Sequence, residues 1–100
     1  PGSGKLSDPT LSSAERLEFL EKEHKSRVIR AIDQARHMIG TDISQTLEQE
    51  ETLRRCIWLS CLNAREYPFE AFDGLIFVSR RQFYRYKNQF MNDIKYLLGL

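Results

Sequence analysis

The residues with the most to offer chemically lie together in "VSRRQFYRYKNQF", positions 78–90. Arg80, Arg81, Arg85 and Lys87 interleave there with Phe83, Tyr84, Tyr86 and Phe90, and Asn88 stands among them. Arginine can grip a guanine edge with two parallel hydrogen bonds, asparagine can do the same with adenine, and the free backbone amides of a helix N-terminus can hold phosphate. These residue types therefore point to recognition of a nucleic acid, not to bond making. A plainer reading stays open beside it, because any surface helix has a charged outer face and a lone "RR" does not separate the two.

Elsewhere the reactive residue types lack supporting partners. Cys56 and Cys61 are five apart in a helical pattern, which places them on different faces. No histidine pair stands near them, so they read as two reduced thiols of a cytoplasmic protein rather than a zinc site. His24 and His37 are thirteen apart on one helix and read as surface or partly buried side chains. There is no Gly-rich phosphate loop, no Ser/His/Asp or Cys/His constellation and no metal-ligand cluster. The expectation is a protein that is not an enzyme and needs no cofactor. The acidic "LEQEE" at 47–51 suits the positive end of a helix dipole; its alternative use is contact with a basic patch on RNA polymerase.

The elements that must position these residues are helical. "PGSGKLS" has the composition of a flexible linker, here residues 1–8. Asp8 and Pro9 form a good helix start, and residues 10–39 follow without Gly or Pro, with a break near Ser12-Ser13 as the alternative. Their apolar stripe runs through Leu17, Leu20, Val28, Ala31, Ala35 and Met38, interrupted by His24. Gly40 fits the position just past the helix end. The extra residue between positions 24 and 28 breaks strict heptads, so the stripe reads as the side of an intrachain hairpin, with a coiled-coil seam as the alternative. A second helix is expected over 44–63, and a short third from Pro68 to about Leu75. A fourth should run from Ser79 to Leu98. Ser79 and Gln82 make a capping box, and Val78 and Phe83 a hydrophobic staple. At about 100° per residue, Phe83, Phe90, Ile94 and Leu97 share the core side with Tyr86 beside them, whereas Arg81, Arg85 and Asn88 face outward. Gly99 and Leu100 can cap the far end, with Leu100 folding back toward Ile94. The fold class is thus all-α, a helical bundle with a long N-terminal helix or hairpin. The divisions are a linker at 1–8, a helical hairpin at 9–63 and a helix-turn-helix at 64–100, the last two forming one compact domain.

Charge is distributed unevenly. Residues 1–63 carry nine Lys/Arg against ten Asp/Glu, residues 64–78 one against three, and residues 79–100 five against one. The positive excess is confined to the last helix, which is the footprint a nucleic-acid reader leaves. No apolar run approaches the ~18 residues that a membrane span requires, and nothing resembles a signal peptide. Pro1 is not a natural initiator, so the chain reads as a fragment or a processed product.

The segment "VSRRQFYRYKNQFMNDIKYLLGL" resembles the C-terminal helix-turn-helix of the ArpU and RinA group of phage transcriptional regulators, whose fold there is similar to region 4 of sigma factors. The opening "GSGKLSDPT" is similar to the linker and helix start found in that group. The resemblance implies a regulator of phage late genes that binds double-stranded promoter DNA in the bacterial cytoplasm, with RNA polymerase or a second copy of itself as a further partner. It implies DNA contacts from Ser79, Arg80, Arg81, Tyr84, Arg85, Lys87 and Asn88. Of these, Arg81 and Arg85 are expected at base edges, Arg80 and Lys87 at phosphates, and Tyr84 on the flank. Turns of this type place Gly two residues before the capping Ser. Here that residue is Phe77, so the turn should have another shape or be lengthened through "GLIFVS". The alternative function is a helical interaction module or a phage DNA-packaging adaptor like the small terminase subunits.

Overall fold

A computed structural model describes residues 12–100. Three α-helices and one 3-10 turn account for its regular structure, with no strand among the described residues. They are α1 (Ser13–Met38), α2 (Leu47–Leu62), the 3-10 turn Phe69–Phe72 and α3 (Arg80–Leu98). The all-α class is as expected. Among the described residues no helix is long and apolar enough to cross a membrane.

Each helix begins where a hydroxyl side chain can satisfy a free backbone amide. Ser12 accepts from Glu15 N–H at the start of α1; Asp8 and Pro9, the expected start, lie outside the described residues. Thr46 and Gln49 form a reciprocal capping box at α2, which sets its start three residues later than the expected 44. Ser79 and Gln82 form the same box at α3, as expected, with bonds of 3.1 Å in both directions.

Helix ends are set by glycine at two places. Gly40 adopts φ +72° just beyond α1, and a Cβ there would come within 2.7 Å of Gln45 Nε2. The backbone conformation requires glycine, and the Gln45 amide, a flexible side-chain tip, donates to Gly40 O at 2.8 Å. Gly99 ends α3 with φ +75°, and Leu100 N–H closes onto Lys95 O at 2.8 Å. The apolar half of that expected cap does not form: Leu100 is 86% exposed rather than folded onto Ile94.

The short third helix is a correction. In place of an α-helix over 68–75 there is one 3-10 turn, held by Ala71 N–H to Pro68 O and Leu75 N–H to Phe72 O. The tighter winding brings residues i and i+3 onto one side. Phe69 and Phe72 thereby both reach Phe83, with ring centroids 5.5 and 5.8 Å away. Gly74 then takes φ +79°, and among the described residues none other than glycine has positive φ, Phe77 included.

The core gathers Ala35 and Ile39 of α1, Leu53, Cys56 and Ile57 of α2, Phe72, Val78, and Phe83, Tyr86 and Phe90 of α3. Helix α3 is central. α1 lies most closely along α3; it also touches α2, where Arg54 donates to His37 O and the Arg36 guanidinium lies 5.7 Å from the Trp58 ring centre. The buried part of the α1 stripe is short, from Ala31 to Ile39. Residues 13–30 are exposed except for half-buried Phe19 and Val28. The shape is correspondingly elongated, 58 × 28 × 23 Å.

Candidate nucleic-acid interface

Helix α3 is oriented from its inner face outward. Phe83, Tyr86 and Phe90 are buried, with Ile94 and Leu97 half-buried behind them. Burying two phenylalanines and a tyrosine at this spacing fixes the rotation of the helix. Arg81, Arg85, Asn88 and Asn92 consequently stand on the exposed side, as their spacing predicted. The first turn contains no acid, so the positive end of the helix dipole and the arginine charges act in the same direction.

The seven expected contact residues differ in what they already touch. Ser79 holds the cap. Arg80 pairs with Glu70 of the 3-10 turn, and its guanidinium lies 5.5 Å from the Tyr84 ring centre. Arg81 and Asn88 are exposed and make no hydrogen bond or ion pair with other described residues. Those two are the groups most ready for a ligand.

Arg85 is drawn toward the corner between α1 and α2. Its Nη2 meets Asp42 Oδ2 at 3.2 Å, with both side chains 51% exposed. Tyr86 donates its hydroxyl to the other oxygen, Asp42 Oδ1, at 2.8 Å. The tyrosine hydrogen bond, helped by Arg85, holds the Asp42 carboxyl below its ordinary range, while burial and the Asp42 bond push the Tyr86 phenol up. Half-exposed pairs such as Arg85–Asp42 contribute only about 0–1 kcal/mol. A phosphate can displace Asp42 from Arg85 at little cost, but Arg85 is not a free base-reading arm in the unliganded chain.

Lys87 and Tyr84 depart further from expectation. Lys87, expected at a phosphate, is half-buried and donates from Nζ to Ser60 Oγ at 3.1 Å. Ser60 on α2 is fully buried, so a lysine head supplies the partner that this hydroxyl needs away from water. Tyr84, expected as a flank contact, is half-buried with its hydroxyl accepting from Phe69 N–H. Its ring lies between Arg80 and Lys87, 5.9 Å from Lys87 Nζ. Both side chains brace α3 against its neighbours.

Sequence reading missed Asp42, Glu70 and Ser60, the three groups that occupy the basic side chains. Asp42 lies 43 and 44 positions from its partners and Ser60 lies 27 from Lys87, so no local pattern could have exposed them.

The remaining reactive groups form no second site. Cys56 is buried and Cys61 half-buried, both free, and burial pushes both thiols up, away from thiolate. His24 is exposed, and exposed His37 donates from Nδ1 to Asp33 O one turn back. Among the described residues no group of three or more metal-ligating side chains comes together. No family model, curated protein or solved structure matches this chain.

Proposed function

We propose that this chain is a DNA-binding helical domain that reads double-stranded DNA with the N-terminal half of α3. The observation that carries the reading is the capped, acid-free start of α3 with Arg81 and Asn88 exposed and uncommitted on its outer face. Its first three turns present an arginine, an asparagine and, at the start, free backbone amides, the groups that suit base edges and phosphate. Arg80 and Arg85 reinforce the phosphate contact once DNA displaces Glu70 and Asp42.

The narrower reading is a cytoplasmic regulator of phage late genes with a helix-turn-helix of the sigma region 4 kind. Its support is the likeness of "VSRRQFYRYKNQFMNDIKYLLGL" to the ArpU and RinA group. The 3-10 turn and α3 would form the two arms of the motif, joined by "GLIFVS". The test is fluorescence-anisotropy titration against promoter fragments and random duplexes over a salt series. Preference for a particular fragment supports a regulator, and absence of binding at low salt removes the reading.

One observation favours a second reading, an interaction module or DNA-packaging adaptor: the N-terminal half of α1 projects beyond the core. A ring of many copies in solution would support the adaptor, and a monomer or dimer would count against it.

A further inference from the structure

The projecting half of α1 is the largest feature that DNA reading leaves unused. Residues 13–30 extend roughly 27 Å at ~1.5 Å per residue. All of them are exposed except half-buried Phe19 and Val28. The stripe that packs the core through Ala31, Ala35 and Ile39 continues into this segment as Leu17, Leu20, His24 and Val28. Leu17 is 62% exposed and Leu20 50%. A helix of this length without tertiary support is marginal in water.

The charges on the segment are sorted along its length. Residues 13–21 hold Glu15, Glu18 and Glu21 against Arg16, a net −2. Residues 22–30 hold Lys22, Lys25, Arg27 and Arg30 against Glu23, a net +3. The apolar stripe is nearly symmetric about the boundary between the two halves. If a second copy of the segment is laid alongside in the opposite direction, Leu17 of one meets Val28 of the other, and Leu20 meets His24. The same arrangement places −2 over +3 at both ends. Parallel alignment instead opposes like charges throughout. Where the segment joins the core, Arg27 and Arg30 rim an open cavity floored by Ala31 and Leu97, the place where the acidic start of an antiparallel partner would arrive.

We infer that the projecting half of α1 is a self-association surface, pairing two copies of this chain as antiparallel helices through Leu17, Leu20, His24 and Val28. The charge halves set the direction of pairing. The inference stands independently of DNA binding, although a dimer would also carry two copies of α3.

The test is sedimentation equilibrium of the whole chain over roughly 1–100 μM, at low and high salt. Twice the monomer mass of 11.8 kDa is expected, with affinity falling as salt rises, since salt screens attraction between opposite charges. Leu20→Lys should weaken the dimer at least tenfold. Glu18→Lys/Glu21→Lys and Lys25→Glu/Arg27→Glu should each fail to self-associate, and an equimolar mixture of the two should recover the dimer mass. All these positions are exposed, so circular dichroism should show the fold intact. A monomer at every concentration, a higher oligomer, a dimer that tightens with salt, or a dimer indifferent to these substitutions would each overturn the proposal.

Discussion

Tyr86, buried on α3, donates its hydroxyl to Asp42 Oδ1 at 2.8 Å, joining the last helix to the corner between the first two across 44 positions of sequence. The same carboxylate takes Arg85 on its other oxygen. One residue outside any helix thus both anchors the inner face of α3 and restrains its outer face.

This relationship predicts a particular pH dependence. Asp42 has a folded pKa below its ordinary value of about 3.9. Its stabilisation is present above that ordinary value and is lost as pH falls through the lower folded value. Tyr86 has a folded pKa above its ordinary value of about 10, so its contribution is complete below pH ~10 and is lost as pH rises through the folded value. Asp42→Asn should flatten the acid limb and leave much of the alkaline limb, because burial is the larger cause of the tyrosine shift. Tyr86→Phe should remove the alkaline limb. Urea denaturation across pH checks both, and an unchanged acid limb in Asp42→Asn would contradict the assignment.

The aromatic centre should dominate stability. Phe83 and Phe90 are almost wholly buried, and truncating either to alanine should cost about 3–5 kcal/mol. Ser79→Ala should cost about 1 kcal/mol through the lost cap. Thermal or urea unfolding measures these directly, and a Phe83→Ala protein as stable as the parent would mean that the inner face of α3 is assigned wrongly.

Lys87 separates bracing from binding. Lys87→Ala removes the partner of buried Ser60 Oγ and should destabilise by about 1 kcal/mol. It should leave the salt dependence of DNA binding unchanged, because its ammonium faces α2. A phosphate-contacting lysine would do the reverse, flattening the slope by about one counterion with little loss of stability.

What was legible in the sequence was local. Ser79-Gln82 and the apolar spacing of Phe83, Tyr86 and Phe90 specify a helix start and its rotation without reference to the rest of the chain, and both were found as read. Gly40 and Gly99 likewise marked helix ends. The misreadings arose where the deciding partner is distant. Pro68 to Leu75 has a helix-like start, but the winding there is 3-10, with the Phe69 and Phe72 rings both set against Phe83. Thr46-Gln49 carried a capping signal that the expected start at 44 passed over. Lys87 and Tyr84 looked free because Ser60 and Phe69 come near only in three dimensions. The α1 stripe, interrupted at His24, ran from Leu17 to Met38, yet within it only Ala31 and Ala35 are buried.

The central claim is that the outer face of α3 reads DNA, and binding by single-alanine variants tests it most directly. Anisotropy titrations should compare the parent with Arg81→Ala, Asn88→Ala and Arg85→Ala on a preferred duplex and on random DNA, at several salt concentrations. Arg81→Ala should lose about 1–3 kcal/mol on the preferred site and much less on random sequence. Asn88→Ala should behave similarly. Arg85→Ala should weaken both duplexes more evenly, since that side chain must first leave Asp42. If the parent binds no DNA at low salt, or if all three variants bind as the parent does, the exposed face of α3 is a solvated surface and the claim is wrong.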